Sequence, residues 1–284
     1  MLWTIVLLLL INKHDALEPT DYLVPAGWKG NPWGPEATAA RESGKLPPIV
    51  MTEGMKRWDV WGRKHLKDGD IVFRRGKARI LAGYFPMSRF IANASDSPFS
   101  HTGIVSFEKG EPVVYDTTSG GVRRQPFAVW VLDNAGPFGV KRLKAEYAKK
   151  TSAVLAYCRN VFETQPPFDY DLAAGDSSLY CVEMTEMAYR SAGIKLSDPI
   201  RLGDMDRAAE FPICMFCFAT FSHLKLEQSA FFPGNERTGI WSSPNLETVC
   251  PPTGPVGSPD RTTLVDPPAD TAEVADQGRI EPKS

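Results

Sequence analysis

Neither sign of charge is in excess. The 32 Lys and Arg face 34 Asp and Glu, and a net charge of -2 gives no general reason to expect nucleic acid as a partner. Cysteine is scarce and odd in number. The five, Cys158, Cys181, Cys214, Cys217 and Cys250, are too few and too irregularly spaced for a disulfide framework, so at least one thiol stays unpaired within a monomer. Cys214 and Cys217 form a C-x-x-C, but no second cysteine pair or histidine stands at zinc-site spacing. Their neighbours Ile213, Met215, Phe216 and Phe218 suit burial, so no metal and no other cofactor is expected. The apolar run Leu2 to Ile11 is too short to span a bilayer. Its length fits the apolar part of a signal peptide, although no Lys or Arg precedes it and His14-Asp15-Ala16 is a poor cleavage site. Export or membrane attachment, with an extracytoplasmic or membrane-associated location, therefore stands beside a buried terminal segment as the alternative.

What is present divides into four stretches. Residues 1–16 hold that possible signal or anchor. Residues 17–56 are rich in Pro, Gly and isolated Trp, as in Gly27-Trp28-Lys29-Gly30-Asn31-Pro32-Trp33, and read as an extended arm. Residues 57–232 carry the periodic segments of one domain. Residues 233–284 are dominated by Pro, Gly, Ser, Thr and Asp and read as a disordered tail.

Within the domain a short helix around Trp58 to Leu66 leads to a turn at Lys67-Asp68-Gly69 and a strand, Asp70 to Arg74. The connection Ala78 to Phe99 is apolar enough to contain a helix. Its Tyr84, Phe85, Phe90 and Phe99 either pack in the core or wall a substrate groove. Two β-branched runs then flank Glu108-Lys109-Gly110-Glu111. If Lys109-Gly110 is a two-residue hairpin loop, Glu108 pairs with Glu111, Gly103 with Asp116, and His101 with Thr118. His101 and Asp116 then share one face as diagonal neighbours, about 7–8 Å apart at the backbone. A three-residue loop would destroy that register. Strands at Val122 to Gln125 and Phe138 to Leu143 follow, then a helix from about Ala145 to Phe162. Arg123, Arg124, Lys141, Arg142 and Lys144 read as a solvated face or as contacts to an acidic substrate.

The chain is organised around Leu179-Tyr180-Cys181-Val182-Glu183-Met184. Asp176, Ser177 and Ser178 are good N-cap residues, so a helix is expected to open just before Cys181 and to end near Gly193. Backbone N–H groups at a helix start favour the thiolate, the nucleophilic form of cysteine. Cysteine catalysis also needs a histidine to carry its proton and a polar group to orient the ring. His14, His65 and His223 lie outside or at the ends of the domain. Only His101 sits in a strand beside an acidic strand neighbour, Asp116.

Gly69-Asp70-Ile71-Val72-Phe73, Ser97-Pro98-Phe99-Ser100-His101-Thr102-Gly103-Ile104-Val105, Val113-Val114-Tyr115-Asp116, Phe168-Asp169 and Tyr180-Cys181-Val182-Glu183 follow one another in an order that resembles the circularly permuted papain-like amidases of the YaeF/YiiX type. These are relatives of the NlpC-type cell-wall peptidases. The histidine precedes the cysteine, as the permutation requires. The resemblance implies an α+β fold, a small antiparallel sheet or barrel with helices packed on it. It also implies Cys181 as nucleophile, His101 as base, Asp116 as orienting residue, and an oxyanion hole made by the Cys181 N–H with a nearby donor such as Tyr180. Glu183 matches the motif but points elsewhere on the helix and reads as structural. The expected substrate is an amide in a cell-wall peptide or an N-acyl lipid, with a membrane surface as a further partner. A non-catalytic module holding a lipid or peptide is the competing class. A thiol probe separates the two, because an enzyme should label at Cys181 first.

Overall fold

The computed structural model describes residues 28–79, 85–175, 177–221, 225–254, 256 and 264–269, and the side chains of 217–221 lie outside that description. The possible signal or anchor at 1–16 is likewise outside the described residues. Among those described, no helix is long and apolar enough to cross a membrane.

A six-stranded antiparallel sheet carries the domain. Its strands are β1 (Ile71–Arg74), β2 (His101–Glu108), β3 (Glu111–Thr118), β4 (Gly121–Pro126), β5 (Phe138–Leu143) and β8 (Leu246–Thr253), in the order β4-β3-β2-β1-β5-β8, while β6 (Ile200–Arg201) and β7 (Ser229–Ala230) pair in a separate small sheet. Side chains alternate between two apolar layers. Ile71, Phe73, Ile104, Tyr115 and Val122 face helices α5 (Thr151–Thr164) and α6 (Cys181–Ser191). Val72, Val105 and Val114 face α2 (Glu53–His65) and α4 (Phe127–Leu132), where Trp58, Trp61, Phe127 and Trp130 pack. The mixed α+β architecture is the one the sequence implied.

The β2–β3 turn takes the two-residue form. Lys109 and Gly110 both have positive φ, 54° and 83°, as the tight turn that matches strand twist requires. Glu108 pairs with Glu111 and Ile104 with Tyr115, the register that carries His101 and Asp116 onto one face.

Other expectations need correction. The arm is not simply extended: α1 (Pro35–Glu42) forms within it, with Pro at the helix start where a missing N–H is harmless, and α2 begins at Glu53 under a Thr52 cap. The tail is not disordered from residue 233. Trp241 is buried against Phe73 and Phe99, and β8 pairs with β5. Trp58 Nε1 also donates to the Val265 carbonyl at 2.8 Å. Residues 270–284 lie outside the described part. α6 opens at Cys181, but its N-cap is Tyr180 with no side-chain cap; Asp176 is outside the described residues.

Candidate active site

His101 opens β2 and is the cross-strand partner of Arg74, the last residue of β1. Its Nε2–H donates to Asp116 Oδ2 at 2.6 Å, which leaves Nδ1 with the free lone pair. Asp116 serves more donors than the imidazole. Arg123 reaches it with Nε at 2.9 Å and Nη2 at 2.6 Å, and Trp130 Nε1 donates at 2.8 Å. Arg74 Nη2 lies 3.7 Å from the same carboxylate, while its guanidinium stacks over the Trp130 ring at 4.3 Å. Asp133 completes the group, 3.3 Å from Arg74 and 3.8 Å from Arg123. All four charged residues are within 1 % of full burial. Two carboxylates thus balance two guanidiniums with the imidazole neutral.

Sequence reasoning missed Arg74, Trp130 and Asp133, and read Arg123 as surface. The signal was available: continuing the hairpin through Thr118↔Gly121 sets Arg123 opposite Asp116.

Cys181 comes from the other side of the sheet. The Thr102 hydroxyl, on the face opposite His101, donates to the Cys181 carbonyl at 3.3 Å and meets the Thr185 hydroxyl at 2.8 Å, locking the first turn of α6 to the start of β2. The backbone N–H groups of Thr102 and Val182 are directed at the thiol. The first intrahelical bond runs from Met184 N–H to the Tyr180 carbonyl, so the Cys181 N–H lies ahead of the helical ladder and has no side-chain cap.

Burial first, and then the Asp116 charge, push the Cys181 thiol up to about 12 against those N–H groups. Burial, and then Arg74, lower His101 to about 4, with Asp116 opposing. Burial works against the Asp116 charge, but Arg123 and the hydrogen bonds outweigh it and hold the carboxyl far below the usual range. At neutral pH the site therefore holds a thiol and a neutral imidazole beside a carboxylate. That arrangement suits proton transfer during attack rather than a standing ion pair.

The other candidates separate. The Tyr180 hydroxyl is not free for an oxyanion, because it donates to the Phe231 carbonyl at 3.3 Å and accepts from the Phe231 N–H. Phe99 is fully buried between Phe73 and Trp241 and walls no groove. Phe90 is buried against Phe85 and Phe211. Phe85 is half-buried beside α3 (Met87–Ala94), and Tyr84 lies outside the described residues. Glu183 accepts from the Gly175 N–H at 2.7 Å, a structural contact. Cys214 is half-buried on α7 (Pro212–Phe221), and the Cys217 side chain is outside the described part.

A profile described as permuted papain-like amidase enzyme, YaeF/YiiX, C92 family, matches residues 65–249. The chain belongs to this family. Among solved structures, YiiX from Escherichia coli O157:H7 superposes with a TM-score of 0.55 at 20% identity, over 65% of this chain and 96% of that one. The likeness to YiiX is one of fold. A search of curated proteins finds no match. The YiiX structure is titled a metalloprotein. Among the described residues of this C92 chain, no three His, Cys, Asp or Glu side chains converge as a metal would need, and Asp116 is already taken by Arg123, Trp130 and His101. The described residues do not fit such an ion.

Proposed function

We propose that this papain-like cysteine amidase hydrolyses the amide of an N-acyl lipid, with Cys181 as nucleophile, His101 as base and Asp116 as orienting residue. The observation that carries the reading is the 2.6 Å His101–Asp116 bond at the strand end where Thr102 grips the start of the Cys181 helix. Cys181 sulfur attacks the carbonyl carbon as its proton passes to His101 Nδ1. The Cys181 N–H, ahead of the helical ladder, supports the oxyanion. The C–N bond then breaks as His101 returns the proton to the departing nitrogen, leaving a thioester. Water, losing its proton to His101, displaces the sulfur and releases the acid.

The acyl preference rests on α7. Its sequence from Pro212 to Phe221 has no charge, and Ile213 and Phe216 are 76% and 65% exposed, an apolar surface that suits a lipid aggregate. A cell-wall peptide is the second reading, consistent with the amidase family. Iodoacetamide labelling of Cys181 should depend on His101, which takes the thiol proton during attack, and slow in His101→Ala, and a screen of N-acyl lipids and cell-wall peptides should return turnover on the former. Cys181→Ala and His101→Ala should each lower that turnover by at least about a thousandfold. Undiminished turnover by Cys181→Ala would sink the mechanism.

A further inference from the structure

Two guanidinium groups outside the buried cluster stand at the same end of the sheet as His101. The chain leaving β1 is pinned on two sides. Toward β2, Arg75 Nε donates to the Pro98 carbonyl at 3.1 Å and the Gly76 N–H donates to Ser100 Oγ at 3.0 Å, one residue ahead of His101. Toward α3, the Ala78 N–H donates to Ser88 Oγ at 3.1 Å and the Ser88 N–H returns a bond to the Ala78 carbonyl at 3.2 Å. This double pinning brings half-buried Arg75 and exposed Arg89, the neighbour of Ser88, to one locus. Burial, and then the Arg89 charge, lower the Arg75 pKa, so the two cations feel one another. Among the described residues neither has a carboxylate partner, whereas Arg74, Arg123, Arg124 and Arg142 all do. Like charges held together without a counterion repel, and an anion between them removes the repulsion. The guanidinium fork suits the paired oxygens of a carboxylate or phosphate.

We propose that Arg75 and Arg89 form an anion subsite beside His101, which selects amides carrying a carboxylate or phosphate a few atoms from the scissile bond. The inference rests on the assignment of His101 and Cys181 to the reacting centre and narrows the substrate class of that same site.

Binding is the test, because it does not depend on turnover. Three probe amides, N-decanoylglycine, N-decanoyl-O-phosphoethanolamine and N-decanoylethanolamine, are titrated calorimetrically into the full-length Cys181→Ala protein. At least one of the two anionic amides should bind about tenfold or more tightly than the neutral one. Whichever is tighter tells a carboxylate from a phosphate source. Adding Arg75→Gln and Arg89→Gln should erase the difference while leaving the neutral amide's affinity in place, and Arg75→Lys with Arg89→Lys should keep most of it. If Arg75→Gln melts early through loss of its Pro98 bond, Arg89→Gln alone, on an exposed side chain, should still narrow the gap several-fold. Equal binding of all three amides, binding of none, or a difference that survives Arg→Gln would overturn the subsite. Iodoacetamide labelling of Cys181 in the otherwise unchanged protein reports separately on the catalytic reading, so failure of one is not mistaken for failure of the other.

Discussion

Asp116 bears more of the structure than an orienting residue needs to. It takes donors from His101, Arg123 and Trp130, with Arg74 close by. Asp116→Asn keeps the shape but removes the charge that neutralises two buried guanidiniums. Breaking a buried pair by removing one partner costs about 3–5 kcal/mol, so the variant should melt well below wild type. A melting temperature within a degree or two of wild type would mean that Asp133 alone suffices. The alkylation profile should move as well. With Arg74 and Arg123 uncompensated, the thiolate gains stability and iodoacetamide should react at lower pH, while hydrolysis falls because the His101 ring is held by a neutral amide oxygen that no longer stabilises the imidazolium formed during attack. Trp130→Phe removes one hydrogen bond, worth about 1 kcal/mol, and also buried ring volume under the Arg74 guanidinium, so it should cost more than that bond alone, about 2–3 kcal/mol. At this scale the sequence was legible where local geometry decides. A two-residue turn put His101 beside Asp116, but nothing in Arg123 itself announced burial. An arginine in a strand reads as solvated until the next strand's register sets it opposite a carboxylate.

Elements whose role is set by partners far along the chain were hardest to read. β8 contains Pro251 and Pro252 and pairs with β5 through register shifts, so its apolar period is broken and its composition resembles that of a linker. Proline is tolerated there because the strand lies at the sheet edge, where one side needs no ladder bonds. The strand at Phe138 to Leu143, by contrast, declared itself correctly. It lies in the sheet interior between β1 and β8 and carries the expected β-formers. Truncation after Pro233 should therefore unfold the domain rather than trim it. The cut removes β8 and also Trp241, which packs against Phe73 at 5.0 Å and Phe99 at 4.9 Å. Losing a buried aromatic of that kind costs about 3–5 kcal/mol by itself. Truncation after residue 269 should leave the melting temperature nearly unchanged, because the sequence of 270–284 is mostly polar and charged. Paired thermal melts of the two truncations check both statements. A stable, soluble 1–233 chain would overturn the place given to β8.

For the whole molecule, the buried titratable groups define a pH window of stability. His101 has a folded pKa of about 4 against 6.5 when exposed. Between those values the unfolded chain binds the extra proton, so stability rises with pH across that span and is lost as pH falls. Asp116 acts in the same direction lower down, since its folded pKa is held far below that of a free carboxyl; its contribution is present above about pH 4 and lost below. At the alkaline end, burial raises Cys158 and Cys181 to about 12, so their contribution is full below 9 and is lost as pH rises toward 12. Asp70 opposes the acid trend. Burial outweighs Arg142 and raises its pKa, so it favours the folded state at low pH and loses that contribution as pH rises. The balance predicts a plateau of melting temperature between about pH 6.5 and 9, with an acid fall in which His101 accounts for about 3 kcal/mol. His101→Asn isolates that share, because Asp70, Asp116 and the thiols stay in place. Its stability should vary less than wild type between pH 6.5 and 4, while below pH 4 the two curves should run parallel. Equal slopes for wild type and variant between pH 6.5 and 4 would mean that the imidazole is not held neutral by Arg74 and its buried surroundings. The proton-transfer route from thiol to imidazole would then give way to a standing ion pair.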